Sequence, residues 1–481
     1  MGACWVEDEL RSADLQDQRL NKRLAKVLVQ LAERPTASIP AAAGGRTEMT
    51  AAYRFFDNPK TSFENVLQPH VDATRRRVAA QEVALLVHDT TEVDLTRPQA
   101  QVSGAGPLSA ARWGGFLHVL HAFAPDGTPL GTLFGEAWAR DEATFGACAA
   151  QTRAERAATP LEQKESHRWV RSWQAAAATA AACPATQCVC VADSEADLYE
   201  LFVEPLPDNL AWLVRGCHDR ALSPENSGPH AAHVWERVAA APALYRDTIG
   251  IRERKPKFAE DERTRRQARA SRDAEVTIRA ASVTLRPPRR AAEKLAATTV
   301  NVVLVREEQP PSGEAPIEWL LWTNLPIDDV EAVRRIVQYY CTRWLIEVLF
   351  HVLKSGCRVE ARRFEAFDRW TTCLAAYLVV AWRTLFVCRL GRSCPDLSCE
   401  AIFEPAEWQA TWRVTKRQPP PSQPPPLGEF VRLVAQLGGY VPRKHSPPGP
   451  QTLWLGLQRV QDFAHCWELF GPHANPTATL V

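Results

Sequence analysis

YYCTRWLIEVLFHVLKSG, residues 339–356, decides how this chain is read. Most of the stretch is apolar enough for a buried helix, yet it carries Arg343, Glu347 and Lys354. At the helical step of about 100° per residue, with Tyr340 at zero, Arg343 falls at about −60°, Glu347 at about −20° and Lys354 at about −40°. The four share a sector roughly 60° wide, with His351 at its edge. Leu345, Ile346, Val348, Leu349, Val352 and Leu353 fill the remaining circumference. A helix that is apolar on most sides and polar along one stripe sits inside a protein, with the stripe facing a cleft. The plainer alternative is an internal ion pair, because Arg343 and Glu347 are i,i+4 neighbours. The stretch alone leaves both readings open.

The surrounding composition narrows the field. The chain has 481 residues, 46% hydrophobic and 23% charged, enough for a sizeable core and more than one domain. No apolar run is expected to be long enough to span a bilayer, and the opening MGACWVEDELRSADLQD is too polar for a signal peptide. No membrane partner is expected. The 13 cysteines are scattered, and neither CPATQCVC (183–190) nor CPDLSC (394–399) has zinc-site spacing, so reduced thiols in a cytoplasmic protein are expected. The net charge is only +1, so any polyanionic partner must be met by local patches. One such patch is residues 252–290, with 13 Arg and Lys against 6 Asp and Glu. It reads either as a solvated loop or as a surface that tracks phosphates.

Along the chain, LQDQRLNKRLAKVLVQLAER and AAYRFFDNP predict a helical module over residues 1–70 that carries Arg19, Lys22, Arg23, Arg46 and Arg54. EVALLVHD (82–89) reads as a buried strand ending on Asp89. FLHVLHAFAPDGTPLGTLFGEAW (116–138) reads as a hairpin turning at Pro125-Asp126-Gly127. LEQKESHRWVRSWQAAAATAAA (161–182) predicts a helix, and TQCVCVADSEADLYELF (186–202) a strand ending on Asp193 with a helix after it. NLAWLVRGCHDRA (209–221) predicts a strand leading into Arg215, His218 and Arg220, while TTVNVVLVREE and IEWLLWTNLP predict two more. A second apolar helix (371–390), the proline tract TKRQPPPSQPPPLG (415–428) and further helices close the chain.

Ligand sites in α/β proteins gather at strand ends, so Asp89 and Asp193 are expected to converge with Glu347. Three hard oxygen donors without His or Cys suit Mg²⁺ or Mn²⁺. Two such ions about 4 Å apart clamp the attacking and leaving oxygens of a phosphoryl transfer. Taken singly, each aspartate reads sooner as a turn or helix cap, and it is the set of three that points to metal.

At this point the residues resemble a family. Asp89 in HDTTEVDL, Asp193 in CVADSEADLY and the set Tyr340, Arg343, Glu347, Lys354 resemble the three signature regions of insertion-sequence-four-type bacterial transposases. These are cut-and-paste enzymes of the Asp-Asp-Glu class, and the last region matches their Y-x2-R-x3-E-x6-K pattern at every position. LQDQRLNKRL and AAYRFFDNP are similar to the family's end-binding module, KESHRW to its motif before the second Asp, and LGGY and W-x-G-L to its dimerisation end. The resemblance implies an α/β fold: a ribonuclease-H-like catalytic core over 71–390 with a β insertion at about 222–325, flanked by the N-terminal helical DNA-binding module and a C-terminal helical dimerisation region over 391–481. It implies that Asp89, Asp193 and Glu347 hold two Mg²⁺ or Mn²⁺ ions, and that Tyr340, Arg343, Lys354, Arg215, His218, Arg220, Lys164, Arg54, Arg19 and Arg23 contact DNA. Trp319 would stack on a flipped base, its alternative being a core tryptophan in a strand. The partners implied are inverted-repeat transposon ends, target DNA and a second copy of the chain, in a bacterial cytoplasm. Two other functions compete: a catalytically silent DNA-binding regulator, and a nuclease without strand transfer.

Overall fold

The computed structural model describes residues 3–99, 101–146, 159–224, 232–251, 269–288, 295–442 and 447–472, with 152, 155 and 253. In chain order the main elements begin with helices α1 Ala3–Glu9, α2 Gln18–Glu33, α3 Ile39–Ala43, α4 Arg46–Phe56 and α5 Phe63–Ala79. Strands β1 Val83–Asp94, β2 Gly106–Ser109, β3 Arg112–Phe123 and β4 Pro129–Trp138 follow, then α6 His167–Ala182, β5 Gln187–Ala192, α7 Tyr199–Val203 and β6 Leu210–Gly216. After α8 Val234–Ala239 come β7 Tyr245–Ile251, β8 Arg272–Leu285, β9 Thr298–Glu307 and β10 Glu318–Thr323. Helices α9 Val330–Thr342, α10 Leu345–His351, α11 Phe367–Ser393, α12 Pro405–Lys416, α13 Leu427–Leu437 and α14 Pro450–Phe470 complete the chain. It divides into two compact units, one of Met1–Gln151, Gln174–Thr186 and Trp344–Val481, the other of Thr152–Trp173 and Gln187–Arg343.

In the first unit the amphipathic reading of the N-terminus holds. Helix α2 starts at Asp17, whose carboxylate accepts the Arg19 N–H at 2.8 Å, and buries Leu24, Val27, Leu28 and Leu31 at i, i+3, i+4, i+7. Strand β3 pairs antiparallel with β1, β2 and β4. The turn to β4 falls where the sequence put it: Gly127 takes φ +86°, and Asp126 accepts the Thr128 N–H at 2.9 Å. Helix α11, the apolar helix expected over 371–390, is long and apolar enough to cross a membrane, which corrects the expectation that the chain holds no apolar run of that length. It is a core helix here, with 83% of its apolar window buried in the fold. The C-terminal motif glycines have a packing cause. A Cβ on Gly438 would lie 1.8 Å from the Thr452 carbonyl oxygen, and one on Gly456 would lie 1.8 Å from that of Val434, so α13 and α14 meet backbone to backbone.

A buried polar knot ties α1 to α5 and β4. Glu9 accepts two hydrogen bonds from Arg77, at 2.9 and 3.0 Å, and one from Nδ1 of His70. The Thr132 N–H donates to His70 Nε2 at 2.9 Å, which fixes the proton on Nδ1. The Arg77 guanidinium also lies 4.2 Å from the centre of the Trp382 ring. Burial alone would raise the Glu9 carboxyl pKa; His70 and Arg77 outweigh it and hold it down to about 2. A depressed carboxyl contributes stability above its unfolded value of 4.5 and loses it as pH falls toward 2, a span of roughly 3 kcal/mol. The difference in unfolding midpoint between the wild type and Glu9→Gln is expected to shrink across that window; a difference independent of pH would contradict the assignment.

In the second unit β5 and β6 run parallel, and β10, β9, β8 and β7 continue the sheet antiparallel in that order, making it a mixed sheet. The strands expected over 186–193, within 209–221, and over 298–308 and 317–326 are all present. Part of the basic segment resolves into structural ion pairs. Arg272 bonds Glu307 and Glu314, and Arg279 bonds Glu308 at 2.8 Å. Residues 252, 254–268, 289 and 290 of that segment lie outside the described residues.

Candidate functional site

The stretch 339–356 is not one regular α-helix. Helix α9 is capped by Asp329, which accepts the Ala332 N–H at 2.7 Å, and buries Ala332, Val333, Ile336, Val337 and Tyr340. It ends at Thr342. Arg343 and Glu347 each donate their N–H to a carbonyl three residues back, at 3.1 Å, which tightens the turn around Arg343 and Trp344. After α10, residues Val352–Gly356 form a π turn, with the Cys357 N–H on the Val352 carbonyl at 2.8 Å. Gly356 sits in that turn because a Cβ there would meet the Trp454 ring at 2.9 Å. A projection at constant angular step therefore does not hold across Arg343 or as far as Lys354.

The second unit brings five of the expected residues together. Strand β5 delivers Asp193 at its end, as expected, and Asp193 also caps the short turn Ser194–Ala196, accepting the Glu195 N–H at 2.9 Å. Asp193 is thus at once a strand-end residue and a turn cap. Tyr340, 6% exposed, takes a hydrogen bond from Arg215 and lies within electrostatic reach of Arg343 and Asp193. Burial raises its hydroxyl pKa, with the two arginines opposing, so it stays protonated. Trp319 is half-buried and meets Tyr340 edge-on, with ring centres 5.2 Å apart, while packing on Ile251, Ala274 and Ile317. Lys164 follows the turn Leu161–Gln163, and its carbonyl accepts the His167 N–H that opens α6.

Arg220 has a different local partner. It binds the buried carboxylate of Asp197, which also accepts the backbone N–H groups of Cys217 at 2.8 Å and His218 at 3.0 Å. Asp197 was passed over in the sequence; its signal was the second carboxylate of SEADL, four residues after Asp193. Burial raises Asp197 and Arg220 more than offsets this, leaving its pKa low. The His218 side chain is 64% exposed beside it.

In the first unit Asp89 lies in mid-strand, not at a strand end. Strand β1 runs on to Asp94 because Thr90, Thr91 and Val93 suit an extended chain and keep pairing with β3, down to Asp94 opposite Gly114. Asp89 pairs opposite Val119, just beyond the fully buried run Ala84–His88, and its carboxylate accepts the Thr90 N–H at 2.7 Å. Burial holds the neighbouring His88 down to about 3, so it is neutral. Helix α10, which carries Glu347, packs against β1. Lys354 lies 3.9 Å from Glu360, a residue the sequence reading missed, and the same carboxylate caps the Asp94 N–H at 3.0 Å. Burial lowers the Lys354 pKa, with Glu360 the chief opposing charge.

The expected DNA contacts Arg19, Arg23 and Arg54 line one cleft of about 790 Å³ between α2 and α4, together with Arg46. Arg19 pairs with Asp17 at 3.0 Å and Arg23 with Glu48 at 2.6 Å.

Comparison with known families gives three matches along the chain. Residues 3–61 match a family described as transposase DNA-binding, residues 174–381 the transposase DDE domain, and residues 379–468 the transposase Tn5 dimerisation domain. The DDE match takes in Asp193, Arg215, Trp319, Tyr340, Arg343, Glu347 and Lys354, whereas Asp89 falls between the first two matches. Such a domain implies a ribonuclease-H-like core, in keeping with the mixed α/β build. Enzymes of this class use divalent metal ions, for which carboxylates such as Asp193 and Glu347 could serve as hard oxygen donors. With a DNA-binding domain before its catalytic domain and a dimerisation domain after it, the chain belongs to the DDE transposases.

Proposed function

We propose that this enzyme carries out cut-and-paste transposition of an insertion sequence, as a member of the insertion-sequence-four type. The observation that carries the reading is the Y-x2-R-x3-E-x6-K set inside the DDE match, with Tyr340 held by Arg215 beside Asp193. Asp89, Asp193 and Glu347 would hold two Mg²⁺ or Mn²⁺ ions. Asp89 and Asp193 each have one oxygen fixed by a local N–H, an outer-shell bond that orients a ligating carboxylate. When bound, the ions supply charge neutralisation at the phosphate and activation of the attacking oxygen. The residues around them grip DNA: Arg343, Arg215 and Lys354 are cations for the phosphates flanking the scissile bond, and the protonated Tyr340 hydroxyl is a donor to the same oxygens.

The reaction proposed is hydrolysis of one phosphodiester at each transposon end, freeing a 3′-hydroxyl. That hydroxyl attacks the opposite strand, expelling the flanking DNA and closing a hairpin. Hydrolysis of the hairpin and attack on target DNA complete the transfer. The substrates are the inverted-repeat ends, with the segment 1–70 as the end-binding module and 391–481 as the dimerisation region that pairs two ends. Leu469 and Phe470, exposed at the tip of α14, support that last assignment.

Hairpin formation requires an unstacked base, and Trp319, edge-on to Tyr340, is the aromatic proposed to receive it. Trp319→Ala is expected to leave first-strand nicking intact and cut hairpin yield about tenfold, with Trp319→Phe recovering most of it. Equal loss of nicks and hairpins would assign Trp319 to the strand core alone. A supercoiled donor plasmid bearing the element's ends tests the whole reading. Nicks, hairpins and excised linear element support it; binding without nicks favours the regulator, and nicks without hairpins the simple nuclease.

A further inference from the structure

Beside the N-terminal cleft, an acid outside its lining joins the two helices that form it. Glu48, in the first turn of α4, reaches across to α2 and uses both carboxylate oxygens: Oε2 lies 2.6 Å from Arg23 and Oε1 lies 2.8 Å from Lys26. Arg23 and Lys26 are three residues apart and share one helix face. A carboxylate spanning two cations offers them two anionic acceptor oxygens, as a phosphate group does. The arginines of the cleft thus fall into two classes. Arg19 and Arg23 carry carboxylate partners, whereas Arg46 and Arg54 have no ion pair among the described residues. The side chains of Arg23 and Glu48 are each 28% exposed and that of Lys26 is 52% exposed, so incoming phosphate can reach all three.

We propose that Glu48 is a built-in phosphate substitute that holds Arg23 and Lys26 until DNA displaces it, and so weakens the module's grip on DNA. This rests on the reading of residues 3–61 as DNA-binding. Displacement leaves a carboxylate beside the bound phosphate, a like-charge contact that Glu48→Gln removes. The device favours duplexes that engage Arg46 and Arg54 as well, over those that meet the cleft by charge alone.

The test measures binding of the full chain to a fluorescent duplex at several salt concentrations. Glu48→Gln is expected to bind about fivefold more tightly at about 0.1 M salt. The slope of log K against log salt is expected to steepen by about one. Glu48→Asp, which keeps the charge, is expected to stay within about twofold of wild type. Unchanged or weaker binding by Glu48→Gln, or an unchanged salt slope, would overturn the inference. A wild-type chain that binds no duplex at all would instead break the reading beneath it. Thermal unfolding without DNA separates loss of the α2–α4 bridge, which lowers the midpoint, from the change in affinity.

Discussion

Glu347→Ala and Asp193→Asn are expected to lower DNA cleavage at least about 1000-fold, some 4 kcal/mol of barrier, while leaving DNA affinity within about twofold. The separation follows from placement. Asp193 ends β5 within the catalytic match and Glu347 lies on α10, whereas the cleft of arginines belongs to the segment matched as DNA-binding. Asp193→Asn is nearly isosteric, and its side-chain oxygen can still accept the Glu195 N–H that Asp193 now caps. Loss of cleavage in that variant therefore reports the missing charge and not a collapsed turn. Glu347→Ala removes one half-buried carboxylate from a helix whose Leu345, Ile346, Leu349 and Phe350 remain to pack it. Gel-shift titration alongside plasmid cleavage reads both quantities, and undiminished cleavage by either variant would refute the catalytic assignment.

The second large effect is on stability. Arg362 is 4% exposed and has no carboxylate among its described partners. Its guanidinium donates to the carbonyls of Pro35 at 2.6 Å, Ala37 and Cys357, and lies 4.8 Å from the centre of the Tyr377 ring. One side chain thus satisfies the loop after α2, the end of the π turn and the face of a core tyrosine. Arg362→Met leaves three inward carbonyls without that donor, at a cost of about 3–5 kcal/mol, and is expected to lower the thermal midpoint by roughly 5–10 °C. Arg362→Lys keeps the charge but not the fork, and is expected to recover less than half of the loss. A shift below about 2 °C for Arg362→Met would show that water or neighbouring groups replace the bonds.

What the sequence made legible depends on whether local chemistry or distant packing decides each feature. Asp193 was legible because an alternating run of valine and cysteine makes a strand, and a following Ser-Glu-Ala starts a turn. Asp89 was misplaced for the converse reason. His88, Asp89 and Thr90 look like a strand ending, but pairing with β3 carries the strand five residues further. The break at Arg343 and the π turn left no mark, since apolar residues surround both and the turn is set by Trp454, about a hundred residues away. Charges show the same divide. Arg272 and Arg279 look like part of a free basic run until Glu307, Glu308 and Glu314 arrive from distant sequence. Nothing local to Arg220 in the sequence shows that the Asp197 carboxylate, 23 residues earlier, binds it.

Ligand-swap rescue tests most directly whether Asp89, Asp193 and Glu347 touch metal. Each is replaced in turn by cysteine, and plasmid cleavage is measured with Mg²⁺ and then with Mn²⁺, a softer ion that tolerates thiolate. All three variants are expected to bind DNA, to be inert with Mg²⁺ and to regain cleavage with Mn²⁺. Full cleavage with Mg²⁺ by any of them, or DNA-bound variants that stay inert with Mn²⁺ at all three positions, would contradict it.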